Sequence, residues 1–205
     1  MKTLLFIAFL LAYLSPNHAQ INSVGDQPLG ETVLYKTTRS FQGFGYKYQC
    51  DVQESSGYVT LYNKENKLTY EDIVYKETGK IFSCGWSERG VINSDKEMNG
   101  RSTAIVDNAF TKSMAKSFGK QKFMITMLVS PETGRVIEVS FNFTTFSPYA
   151  RVPVSIYRDI EVKLKEQMHF TVGEVGKKLN VIMLAWTQRP KGTLPPIDSE
   201  PSPLL

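Results

Sequence analysis

Residues 123–143, FMITMLV-SPETG-RVIEVSFNF, decide the fold. The first seven are apolar or β-prone. Ser130-Pro131-Glu132-Thr133-Gly134 then concentrates turn formers. Residues 135–143 continue with period two, Val136, Glu138 and Ser140 being offset from Ile137, Val139 and Phe141. Two such runs across a tight turn predict an antiparallel hairpin. Toward the C-terminus, Pro153 suits the first turn of a helix. Ile156, Ile160, Leu164 and Met168 form its apolar stripe, with Glu161 and Lys165 as an i,i+4 pair on the outside. Gly173 and Gly176 mark a turn, and residues 179–187 close as a strand. From Pro190 onward five prolines fall in sixteen residues, so residues 190–205 are expected to be a disordered tail.

Toward the N-terminus the same two periods recur. A helix is predicted over 102–118, where Ile105, Val106, Ala109, Phe110, Met114 and Phe118 repeat at spacings of three and four. Ser102 or Thr103 would cap it and Gly119 end it. An upstream start at Ser94, with Glu97 completing a capping box, is opposed by Gly100. Tyr46, Tyr48 and Cys50 alternate with Lys47, Gln49 and Asp51 in a strand, and residues 58–62 form another. Two more are predicted at 68–76 and 80–86, joined by Glu77-Thr78-Gly79, with Gly79 in the left-handed position. Residues 74–81 (VYKETGKI) echo 129–136 (VSPETGRV). The fold class is therefore α+β: a largely antiparallel sheet with two main helices on one face, in the order ββ…ββα-ββα-β. The expected units are an N-terminal arm over 20–40, a Tyr-rich sheet with its helix over 41–119, and a ββαβ unit over 120–189 packed on it.

Residues 1–19 read as a secretory signal peptide. Lys2 supplies the charge, and residues 4–14 (LLFIAFLLAYL) the apolar run. Ala19 supplies the small residue before the cut. Eleven apolar residues cannot cross hydrocarbon that needs about 20. Export makes Cys50 and Cys84 a candidate disulfide, the alternative being two separate buried thiols. With His169 as the one histidine beyond the leader, the cysteines do not make a closed zinc set, and neither a metal nor a cofactor is expected.

The pattern in 123–188 resembles the C-terminal domain of TonB, the periplasmic energy transducer. It is carried by "PETGRVIEV", the helix "VSIYRDIEVKLKEQMHF", the turn "TVGEVGKKL" and the strand "NVIMLAW". The resemblance implies a ββαβ order and an envelope address. The uncleaved membrane helix, the long Pro-rich linker and the Tyr-Pro signature of the transducer are missing, which counts against energy transduction. The whole chain also looks like small exported proteins of unknown function in Gram-negative gut bacteria, a resemblance that implies no activity.

Catalytic chemistry is sparse. No nucleophile elbow, phosphate loop or His-Glu-x-x-His is present, and His169 is placed as a helix-end residue. Glu71-Asp72 and Glu132 are the carboxylates a glycosidase would need, but they sit in turn-rich or strand-edge sequence. The Lys112, Lys116, Lys120 and Lys122 cluster reads as a solvated face. With 24 basic and 20 acidic residues of interleaved sign, no nucleic-acid partner is implied. Tyr46, Tyr48, Tyr58, Tyr62, Tyr70 and Trp86 form the candidate interaction surface. The expectation is a non-enzymatic protein of the periplasm or cell surface that binds a protein or peptide by strand addition. A carboxylate-dependent enzyme or binder of envelope carbohydrate, and a structural subunit of a surface assembly, are the alternatives.

Overall fold

The computed structural model describes residues 29–193 apart from 31, 44, 84–89 and 94–95. The signal peptide, Cys84, Trp86 and Ser94 lie outside the described residues. Six strands, β1 (Arg39–Gly43), β2 (Tyr46–Gln53), β3 (Tyr58–Asn63), β4 (Phe123–Val129), β5 (Val136–Thr144) and β6 (Ile182–Gln188), form one antiparallel sheet. Their order is β1-β2-β3-β5-β4-β6. The helices are α1 (Lys96–Asn108), α2 (Lys112–Ser117) and α3 (Val154–Gln167).

The sheet crosses the expected boundary at residue 120, because β3 pairs with β5 through Leu61 opposite Phe141. The Tyr-rich half and the C-terminal ββαβ order thus share one sheet. The predicted hairpin 123–143 forms at its centre, paired from Met124 opposite Asn142 to Val129 opposite Val136.

Register sorts the side chains. Tyr48, Cys50, Val59, Leu61, Phe141, Ile125 and Ile182 share one face and are buried. α3 lies across that face over β5, with α1 beside it. Tyr157 on α3 is fully buried among Phe123, Phe141 and Phe143. Its hydroxyl donates to the Tyr149 carbonyl at 2.8 Å, which makes burial of a phenol tolerable. Part of the opposite face is roofed by residues 66–82: Asn66 Nδ2 donates to the Val139 carbonyl at 3.1 Å, and Lys67 N donates to Glu138 Oε1 at 2.6 Å.

Four expectations need correction. Among the described residues the strands predicted at 68–76 and 80–86 form no ladder, only single bridges, Val74 to Ile81 and Tyr75 to Leu179, and residues 84–86 lie outside them. The turn between them forms as expected, with Gly79 at φ +67°, but its arms find no continuous partner. The helix predicted over 102–118 begins upstream at Lys96 and breaks before Thr111, whose hydroxyl caps α2 by accepting from Met114 N at 3.2 Å. Ser102 and Thr103, read as caps, instead donate back to the Asn99 carbonyl inside α1. Glu161, read as an outside residue, is fully buried. Residues 190–193, expected in the loose tail, are tied back instead: Thr193 N donates to the Phe110 carbonyl at 2.9 Å, and Lys112 N to the Thr193 carbonyl at 3.0 Å; the rest of that expected tail lies outside the described residues.

Candidate functional site

An open sheet has two edge strands, each with backbone donors and acceptors facing outward. Here they are β1 and β6. β1 is five residues long and carries Arg39, stacked 5.5 Å over the Phe41 ring, while Lys64 reaches Ser40 at 2.6 Å. Charges of this kind discourage pairing with another chain. β6, IMLAWTQ, is seven residues long and has no charged residue. Among the described residues β4 is its one strand partner.

Beside β6 runs a groove of about 480 Å³, lined by Met127, Phe170, Leu184 and Trp186, with Asn99, Ser102 and Thr103 of α1 as its far wall. Period two puts Leu184 and Trp186 on the helix-covered side of the sheet, where both are half-buried. At the strand's end Gln188 ties β6 to α1: its Nε2 donates to the Thr103 carbonyl at 2.9 Å and to Asp107 Oδ1 at 2.8 Å, and its Oε1 accepts from Trp186 Nε1 at 2.9 Å. A strand edge facing a helix across a trough of mixed polar and apolar lining supplies main-chain hydrogen bonds for an extended segment and pockets for alternate side chains. Sequence reading missed these residues. The uncharged run was visible, but edge position is a property of the whole sheet.

The sequence-predicted surface divides. Tyr48 is buried in the core, and its hydroxyl donates to Glu161 Oε2. Tyr46, on the same side, has the Arg158 guanidinium 4.5 Å above its ring. Tyr58 and Tyr62 occupy the opposite face, where Tyr70 joins them from the roof segment. Asp51 gathers this second group. Its Oδ2 accepts from Tyr70 at 2.7 Å and Tyr62 at 2.9 Å, and its Oδ1 from Gln49 at 2.5 Å. Partial burial alone would raise the Asp51 pKa, but these donors bring it below its ordinary value. Burial, then the bond to Asp51, pushes Tyr70 up to about 12.

The remaining candidates are dispersed. Among the described residues Cys50 is a buried thiol without a disulfide partner, its pKa lifted by burial to about 11, and Cys84, its expected partner, lies outside them. Glu71 and Asp72 line a cleft of about 240 Å³ with Glu138, but Glu138 is engaged by the N–H groups of Lys67 and Leu68. Glu132 pairs with Lys76, which joins the two Glu-Thr-Gly turns. His169 Nε2 lies 2.8 Å from the Thr133 carbonyl, at the base of the second turn. Among the described residues no helix is long and apolar enough to cross a membrane, and no group of three His, Cys, Asp or Glu could hold a metal.

Residues 31–186 match DUF5043, a domain of unknown function, and the chain belongs to that family. The crystal structure of a DUF5043 family protein from Bacteroides uniformis ATCC 8492 is 59% identical to it. That match has a TM-score of 0.79 and covers 82% of this chain and 99% of the other. No curated protein matches the chain. The resemblance of residues 123–188 to TonB is not confirmed by these matches.

Proposed function

We propose that this DUF5043 protein is an exported, non-catalytic binding protein of the bacterial envelope that takes an extended peptide segment of a protein partner along β6. The observation that carries the reading is the uncharged, seven-residue edge strand facing α1 across a groove with an apolar floor of Leu184 and Trp186 and a polar wall of Asn99, Ser102 and Thr103. Added strands gain affinity from main-chain bonds and specificity from alternate side chains, and Leu184 and Trp186 are spaced to receive alternate residues. The leader-like residues 1–19 support export.

The test is selection from a random peptide library, followed by hydrogen-exchange mapping of the selected binders. Protection confined to β6 and to Asn99–Thr103 of α1 is the expected result. Binders that protect β1, or no enrichment over a Trp186→Ala/Leu184→Asp variant, would overturn it. One observation favours a second reading. Tyr70 is 66% exposed beside Asp51, an arrangement suited to stacking and hydrogen-bonding a saccharide. Loss of saccharide binding in a Tyr70→Ala variant, with β6 unprotected, would select it.

A further inference from the structure

Directly after Gln188, the last residue of β6, the chain lines a positively charged depression. It holds about 460 Å³ and is lined by Lys112 and Lys116 of α2, Gly119, and Arg189, Pro190 and Lys191. The register that pairs Phe123 with Gln188 sets Lys122 beside Arg189. Residues 112–122 and 189–191 are distant in sequence, so the lysine cluster visible in the first is only half of the feature. All five cations are exposed, and none forms an ion pair within the described residues. The near carboxylate, Asp107, already accepts from Gln188 Nε2 and from Lys191 N at 3.0 Å.

The cluster is built into the backbone. Thr111 and Thr193 form a parallel bridge, and Arg189 donates to the Gly119 carbonyl at 3.2 Å. Gly192 sits at φ +71°, where an added Cβ would meet the Thr111 carbonyl oxygen at 2.4 Å. Four like charges are thus held around one hollow, with Lys122 next to Arg189, in a chain whose charges are otherwise nearly balanced. Their mutual repulsion is relieved by a bound anion.

We infer that the segment taken up along β6 continues into an acidic stretch whose carboxylates fill this depression. The inference rests on the strand-addition reading and adds the partner's chemistry to it. Continuity favours a polypeptide, because residues 189–191, which follow β6 directly, line the patch, and a segment held along β6 would need only its next few residues to reach those cations. A membrane surface is a poorer match: interfacial binding buries apolar side chains between the cations, whereas Met114 and Phe118 of this region point into the core. Single-stranded nucleic acid would call for exposed stacking aromatics, and none lines the depression.

The full chain is titrated with fluorescein-labelled poly-L-glutamate, with heparin and phosphatidylserine vesicles as separate arms. Poly-L-glutamate is expected to bind and to weaken as salt screens the contacts. A Lys116→Glu/Arg189→Glu variant should lose at least about tenfold in affinity. Lys36→Glu/Lys47→Glu, an equal charge change elsewhere, should lose less than about twofold. Equal loss in both variants, or binding of heparin or vesicles without poly-L-glutamate, overturns the inference. The Trp186→Ala/Leu184→Asp variant separates it from the strand-addition reading. That variant should keep poly-L-glutamate binding while losing library peptides. If library peptides still protect β6 but poly-L-glutamate does not bind, the acidic-segment inference alone falls.

Discussion

Both faces of the sheet hold a carboxylate with tyrosine hydroxyls, and the two groups do different work. On the helix-covered face, Glu161 of α3 accepts from Tyr48 and, at 3.3 Å, from Asn63. Arg158 and Lys165 pair with it at 3.0 Å each. Its side chain is fully buried, so every lone pair must be answered within the protein. On the other face Asp51 accepts from Tyr62, Tyr70 and Gln49, but water reaches it. The partners are alike and the dielectric differs. In the core the set fastens α3 to β2 and β3, whereas at the surface it positions two aromatic rings that remain available to a ligand.

Removing Glu161 should therefore have the largest effect. Glu161→Ala leaves Arg158, Lys165, Asn63 and Tyr48 facing an empty site, and breaking one partner of a buried pair costs about 3–5 kcal/mol. Urea denaturation should show a lower midpoint with the slope little changed. A loss under about 1 kcal/mol would put the two carboxylates on an equal footing and break the comparison. Tyr48→Phe removes one donor and keeps the ring, so a loss of about 1–3 kcal/mol is expected in the same experiment.

The pH dependence has a definite sign. Burial alone would raise the Glu161 pKa, but the hydrogen bond from Tyr48 and the charges of Lys165 and Arg158 bring it below the ordinary glutamate value of 4.5. A depressed carboxylate contributes stability that is complete above its unfolded pKa and is lost as pH falls through the folded one. Stability should thus be flat through the neutral range and decline below about pH 4.5. The decline should be shallower in Glu161→Gln. Equal slopes in the two proteins would remove Glu161 from the account.

How much could be read in advance is clearest in the two Glu-Thr-Gly turns. They share one glycine geometry. Gly79 and Gly134 lie at φ +67° and +70°, and each donates to the residue four before it at 2.8 Å. The turn itself was legible in both, because left-handed glycine is a local requirement. The fate of the chain on leaving the turn was not. Residues 135–143 extend a strand because β3 and β4 flank it, while among the described residues 80–83 meet only the short stretch Ile73, Val74 and Tyr75. The same limit applies to the sites. Alternation placed Tyr46 with Tyr48 and Tyr58 with Tyr62, but which face the helices cover is decided by topology. The burial of Glu161 and the convergence of Lys116 with Arg189 are long-range facts with no local signature.

Asp51→Asn should give the smallest effect. The amide keeps an acceptor for Tyr62 or Tyr70, but its two N–H groups face hydroxyls and the Gln49 amide that already donate. Solvent can answer whatever is left unpaired, so a cost below about 1 kcal/mol is expected. The sharper readout is the phenol titration, followed by ultraviolet difference spectroscopy. Burial and the bond to Asp51 hold Tyr70 at about 12, and removing the charge takes away the second cause. Part of the tyrosine ionisation should then move to lower pH while the denaturation midpoint stays nearly fixed. If the midpoint falls as far as in Glu161→Ala, Asp51 is a structural tie like Glu161, and the open face loses its claim to be a binding surface.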